Sequence, residues 1–165
     1  MKFLEKDLEE IIFNANPESL EGKGLEFNYH KVFRQKRIGN YGRADLIGVA
    51  KPYLACWSNG KMFIDEGRID IYELKKDKIS LSTFAQSLQY YRGIQRYLEE
   101  RGKDHLFKIN IILIGREIDK NSCACYLSSI FDNVFIYTYN YDVDGIKFKH
   151  EYGYKLTDEG FKHPF

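Results

Sequence analysis

Asp45, Glu73 and Lys75 are the residues whose types and spacing bear chemistry. In a strand, successive side chains point to opposite faces. Within Ile69-Asp70-Ile71-Tyr72-Glu73-Leu74-Lys75, Glu73 and Lys75 therefore share one face and Leu74 takes the other. Ile69, Ile71, Tyr72 and Leu74 mark a mostly buried strand, where charged residues need partners. Arg43-Ala44-Asp45-Leu46-Ile47 likewise sets an acid in an apolar strand. Two carboxylates brought to about 4 Å at an effective dielectric of roughly 20 repel by on the order of 4 kcal/mol, unless a cation or a proton relieves them. Two acids beside a lysine suit Mg²⁺, which prefers oxygen ligands, and such a site suits phosphodiester hydrolysis. The ammonium would orient the attacking water or meet the charge on phosphorus.

A Glu-x-Lys pair alone is common on exposed strands, and Lys76 and Lys78 make this neighbourhood lysine-rich. Asp65, Glu66 and Asp70 compete with Glu73 as second acid. Asp70 has the opposite facing, and Asp65 with Glu66 fits a turn before Gly67. Glu5 is a further acid beside the apolar stripe of the first helix. Gln86 and Tyr90 lie one helical turn apart on one face.

These residues need elements to position them. Leu4, Leu8, Ile11 and Ile12 follow a helical period over Phe3 to Asn14, and Asn16-Pro17 ends that helix. Leu25 to Arg34 and Arg43 to Val49 read as strands around a Gly39-Asn40-Tyr41-Gly42 turn. Ser58-Asn59-Gly60-Lys61 predicts an inserted hairpin with arms Tyr53 to Trp57 and Met62 to Ile64. Arg68 to Lys75 is the strand with the Glu-x-Lys pair. Ser82 to Arg101 is the clearest helix, with Phe84, Leu88, Tyr91, Ile94 and Leu98 as its buried stripe. Gln86, Tyr90, Gly93 and Tyr97 form a more polar stripe. Phe107 to Gly115 is an apolar run suited to a central strand covered on both faces. Asn121 to Phe131 reads as a helix, Val134 to Tyr139 and Ile146 to Tyr154 as strands. The expected class is an α/β sandwich, a central mixed sheet flanked by helices, in one domain over residues 1–156 with a loose tail over 157–165.

Composition narrows the partners. The net charge of +1 excludes a wholly basic nucleic-acid clamp. Lys31, Arg34, Lys36, Arg37 and Arg43 nevertheless fall in a window without acids. They either protect a strand edge or face phosphates. The 13 tyrosines and 12 phenylalanines favour strands and offer faces for base stacking, Tyr152-Gly153-Tyr154 among them, although sheet surface explains that cluster equally. Three cysteines, without a signal peptide, point to a reducing cytosol, and Cys123 and Cys125 read as small buried helix residues. No apolar run is long enough to span a bilayer, and Met1 stands almost directly on a helix, so the mature chain is expected to start there. The four histidines are scattered. Asp142-Val143-Asp144-Gly145 reads as a hairpin turn rather than a calcium loop, since Ile146 falls where a ligand would be needed. Gly115-Arg116-Glu117 lacks a phosphate-binding glycine pattern, which argues against a nucleotide cofactor.

The order Glu5-Lys6-Asp7-Leu8-Glu9 with Asn16-Pro17, Gly42-Arg43-Ala44-Asp45-Leu46, Tyr72-Glu73-Leu74-Lys75, then Gln86 with Tyr90 resembles the PD-(D/E)XK nuclease superfamily. It is most similar to the catalytic domain of archaeal and actinobacterial mismatch-specific endonucleases, over roughly residues 3–140. The resemblance implies a restriction-endonuclease-like fold and a cytoplasmic Mg²⁺-dependent endonuclease acting on DNA, with Mn²⁺ as substitute. It implies that Asp45, Glu73 and the Leu74 backbone carbonyl ligate the metal and that Lys75 acts on the water or the phosphate. Glu5, or Glu9 in its place, would support the metal through water, and Gln86 and Tyr90 would orient the site or touch DNA. Arg43 stands where a basic residue often adjoins the acid, and Arg34, Lys36 and Arg37 join it as expected DNA contacts. Ala44 replaces the superfamily's proline, the Asp45-to-Glu73 interval is long, and the N-terminal dimerisation and DNA-binding domain of the mismatch enzymes has no counterpart within these 165 residues, so mismatch specificity is not expected to transfer. Cutting both strands would need two sites, hence a homodimer. The alternative is a catalytically silent nuclease-fold module that binds nucleic acid or a protein partner. RNA as substrate also stays open.

Overall fold

The computed structural model describes residues 4–56 and 60–151. Helix α1 (Glu5–Asn14) begins where the Asp7 carboxylate accepts from the Leu4 N–H at 2.8 Å. A negative charge in the first turn also meets the positive end of the helix dipole. The helix ends before Asn16-Pro17, as expected, and that pair starts another. Asn16 Oδ1 accepts from the Glu18 N–H at 2.8 Å, and Pro17 opens α2 (Pro17–Glu21).

The strand expected over Leu25 to Arg34 is found later, as β1 (Lys31–Arg37). Leu25 and Phe27 drop into the core with Leu8, Ile12 and Leu20 instead. β2 (Arg43–Ala50) pairs antiparallel with β1. β3 (Tyr53–Cys56) and β4 (Met62–Asp65) form the separate antiparallel hairpin that was expected, although Ser58-Asn59 of its turn lies outside the described residues. β5 (Gly67–Leu74) returns antiparallel to β2 and carries Glu73. After β6 (Lys78–Ile79), α3 (Leu81–Glu99) crosses one face of the sheet and leads to β7 (Phe107–Gly115), parallel to β5. β8 (Glu117–Ile118) pairs only with β6. α4 (Leu127–Ile130), β9 (Val134–Asp142) and β10 (Gly145–His150) are the last elements among the described residues. The result is an α/β fold with a six-stranded mixed sheet in the order β1-β2-β5-β7-β9-β10, flanked by helices. Tyr152-Gly153-Tyr154 and residues 157–165, which carried the rest of the expected last strand and the tail, lie outside the described residues.

Both sheet faces are covered. Leu46, Tyr72, Leu74, Ile112 and Ile114 pack under α1, α2 and the Leu25–Phe27 segment. Ile47, Ile69, Ile71 and Ile109 meet Tyr90, Ile94 and Leu98 of α3. Ile79, Phe84, Leu113, Leu127 and Ile136 form a third cluster toward the start of α3. Burial of these side chains supplies most of the drive to fold, roughly 1.5–3 kcal/mol for each large one.

Three expectations need correction. The helix over Asn121 to Phe131 is two short 3₁₀ turns, Lys120–Ser122 and Ala124–Tyr126, followed by α4. Cys123 breaks it by sitting at φ 58°, in the left-handed region that a regular helix excludes. Cys123 is exposed and Cys125 half-buried, so neither is a buried helix residue. On α3 the buried stripe is rotated. Leu88 faces solvent, while Thr83, Ser87 and Tyr90 face the protein. Gly93 permits the rotation, since a Cβ there would come within 2.6 Å of Ile38 Cγ2 and 2.7 Å of Tyr41. Among the described residues no helix is long and apolar enough to cross a membrane.

Candidate active site

The β2–β5 register runs from Ala50 opposite Arg68 to Leu46 opposite Tyr72. One step further along the same register stand Asp45 and Glu73, and there the strand pairing stops. The Leu74 N–H donates instead to Asp45 Oδ2 at 2.8 Å, so the acid caps the end of its neighbour strand. Asp45 and Glu73 thus share the sheet face that α3 covers, as strand alternation dictates.

Glu73 is 1% exposed. Its Oε1 accepts from Lys75 Nζ at 2.8 Å, and its Oε2 is buried without a partner. Burial pushes the Glu73 carboxyl up to about 7, and the charge on Asp45 adds to the rise. Burial also raises Asp45, against the opposing pull of the Leu74 N–H, Lys75 and the Gln35 amide. Burial works against the Lys75 ammonium, but its bond to Glu73 and the charges of Glu73, Glu5 and Asp45 outweigh this and raise its pKa. The three expected residues are therefore one electrostatic unit, with an excess of negative charge facing an orphan oxygen.

Tyr90 belongs to the same unit. Burial raises its pKa, with the charges of Glu73 and Asp45 adding, and its hydroxyl accepts from Gln86 Nε2 at 2.7 Å. Its ring lies against Gly42, which has φ +116°; a Cβ there would come within 2.6 Å of Tyr90 Cε1. The glycine before Arg43 thus serves both the turn and the close approach of Tyr90. Glu5 is exposed and reaches the carboxylates through its charge.

Two more residues belong to the site: Glu9, which the sequence offers beside Glu5 as an acid able to support the metal, and Gln35, which the sequence does not single out. Glu9, one turn after Glu5, is the buried acid of α1, 6% exposed. Its Oε1 accepts from Arg34 Nε, and its Oε2 accepts from Gln35 Nε2 at 2.5 Å. The same Gln35 nitrogen donates to Asp45 Oδ1 at 3.2 Å. Gln35 has φ 48°, a backbone state that disfavours a side chain by roughly 1–2 kcal/mol. Glu9 flanks the apolar stripe of α1 as Glu5 does, and the sequence leaves open which of the two supports the metal; nothing in a glutamine announces a positive φ.

The basic window divides. Arg34 is turned to Glu9. Lys36 and Arg37 are exposed on the edge strand and rim a groove of about 600 Å³ between that edge and α3, with Phe33, Tyr41, Ile94 and Tyr97 among its walls. The carboxylates do not line this groove. Tyr90 and Gly93, one turn apart on α3, connect the two. Arg43 is exposed at the start of β2, next but one to Asp45.

The oxygens present suit a hard divalent cation: two carboxylates, one with a buried oxygen that has no donor. Among the described residues no three His, Cys, Asp or Glu side chains gather closely enough to hold a metal by themselves, so a backbone carbonyl or water would complete the shell. The chain matches no family model, no curated protein and no solved structure.

Proposed function

We propose that the chain is a metal-dependent nuclease that hydrolyses DNA phosphodiester bonds within strands. The observation that carries this is the partnerless Glu73 Oε2, buried beside a second carboxylate and a protonated lysine. Asp45, Glu73 and the Leu74 carbonyl would hold Mg²⁺, or Mn²⁺ in its place. Such an ion polarises a phosphoryl oxygen and makes a bound water more acidic. Lys75 brings its positive charge to the rim of the site, where charge on phosphorus develops. The Tyr90 hydroxyl, steadied by Gln86, offers a hydrogen-bond donor beside the carboxylates. Lys36 and Arg37 bind phosphates along the edge strand, and Arg43 does so next to Asp45. Two acids on adjacent antiparallel strands, between α1 and α3, also support a restriction-endonuclease-like sandwich. Breaking both strands of a duplex would call for two copies of the chain.

Purified protein with Mg²⁺ or Mn²⁺ is expected to nick supercoiled DNA, and Asp45→Ala and Lys75→Ala each to abolish nicking. Equal nicking by wild type and both variants would assign it to a contaminant and end the proposal. Binding to DNA without cleavage would leave a nuclease-fold binding module instead.

A further inference from the structure

Gln35 stands opposite Asp45 in the β1–β2 register. Arg34 pairs with Leu46 and Lys36 with Ala44, and no pair is formed between them. The interruption coincides with the φ of 48° at Gln35. Leaving the regular strand frees the side chain from strict alternation and lets it span two elements that a flat strand would keep apart. Its one amide nitrogen meets both Glu9 Oε2 on α1 and Asp45 Oδ1 on β2. Carboxylates only accept, so a group between two of them must present N–H. The two hydrogens of that NH₂ serve one carboxylate each, which fixes which way the amide points.

The rest of the chain of contacts is anchored. Glu9 is buried and held on its other oxygen by Arg34. Asp45 is held on its other oxygen by the Leu74 N–H. Asp45 is thereby gripped from both sides, one lone pair on each oxygen remaining free. A neutral amide is also the group that lets Glu9 and Asp45 stay close without sharing a proton or adding charge. A carboxylate in its place would crowd a third acid into the same volume.

We infer that Gln35 is a positioning residue: anchored on Glu9, it fixes the Asp45 carboxylate in the orientation needed to bind a divalent cation. The inference rests on the proposed metal site. Partners that orient a metal-binding carboxylate typically change metal affinity by roughly 10- to 100-fold when removed.

The test is calorimetric titration of Mn²⁺ into the full chain, alongside its melting temperature without metal. Gln35→Gly suits the left-handed backbone and deletes the amide; Gln35→Asn also tolerates that backbone but is too short to span both acids. Both are expected to melt close to wild type while binding Mn²⁺ roughly 10- to 100-fold more weakly. Arg34→Lys keeps the charge on Glu9 and should bind nearly as wild type does. Unchanged Mn²⁺ affinity in Gln35→Gly would overturn the inference while the metal site stands, even if its melting temperature fell, since that would make Gln35 only a prop for Glu9. A wild type that binds no Mn²⁺, equal to Glu73→Gln, would overturn the metal site and the inference together.

Discussion

Strand β5 carries two buried acids three residues apart, Asp70 and Glu73, and they live differently. Asp70, 2% exposed, lies on the α1 face. Its Oδ1 accepts from Asn110 Nδ2 at 2.8 Å and its Oδ2 from the Tyr29 hydroxyl at 2.5 Å, with Arg68 Nε in an ion pair at 2.8 Å. Tyr29 also hydrogen-bonds Tyr72, and its ring occupies the space that a Cβ on Gly48 would fill. Both oxygens are used, and the pull of Tyr29, Arg68 and Asn110 on the carboxylate outranks the repulsion from Glu26. Glu73, on the α3 face, has one oxygen on Lys75, one on nothing, and Asp45 as neighbour. Burial raises both carboxyls. One acid is satisfied by fixed donors and fastens the sheet. The other is left short of positive charge, which is the condition that the proposed metal site requires.

Mutation should split the two most sharply. Glu73→Gln is nearly isosteric and should lower DNA cleavage by on the order of 10³-fold, with the melting temperature unchanged or raised. Asp70→Asn should leave cleavage per folded molecule near wild type. A variant at Asp70 that folds normally yet fails to cleave would erase the distinction.

The pH dependence comes next in size. The folded Glu73 carboxyl titrates at about 7 against 4.5 when free, so the folded chain holds a proton that the unfolded chain has lost. That contribution is complete below about pH 4.5 and is lost as pH rises through about 7, amounting to on the order of 3 kcal/mol without metal. Asp70, also raised, acts in the same direction. Denaturant titrations at pH 5 and pH 8 should therefore show wild type losing more stability than Glu73→Gln. Added Mg²⁺ should restore stability at pH 8 in wild type alone.

Asp70→Asn should itself destabilise by about 1–3 kcal/mol, because buried donors lose an ionised partner. Chemical denaturation reads this directly, and a change within error would make the Asp70 cluster incidental. The smallest effect is at the edge strand. Lys36→Ala with Arg37→Ala should flatten the dependence of log K on log salt by roughly 2 for duplex DNA. Arg34→Ala should instead lower stability through Glu9, and an Arg34 effect on the salt slope would return that residue to the DNA surface.

The alternation of the strand made Glu73 and Lys75 legible, and the apolar setting of Asp45 did the same for its neighbour strand. The sheet was legible for similar reasons: β7 is a run of isoleucine and leucine that only a doubly covered strand explains. What escaped depends on three-dimensional fit. Tyr90 reads as polar-stripe, yet its ring is buried against Gly42, where a Cβ would come within 2.6 Å of it. Cys123 and Gln35 break regular elements by positive φ at residue types that carry no turn signal. The sequence offers both Glu5 and Glu9 beside the stripe of α1, and only the contact with Gln35 distinguishes Glu9.

The most direct measurement is the anomalous scattering of crystals soaked in Mn²⁺. One peak in direct contact with Asp45 and with Glu73 Oε2, lost in Glu73→Gln crystals, is the predicted result. A peak elsewhere on the chain, or none with Lys75 still seated on an otherwise bare Glu73, would contradict it.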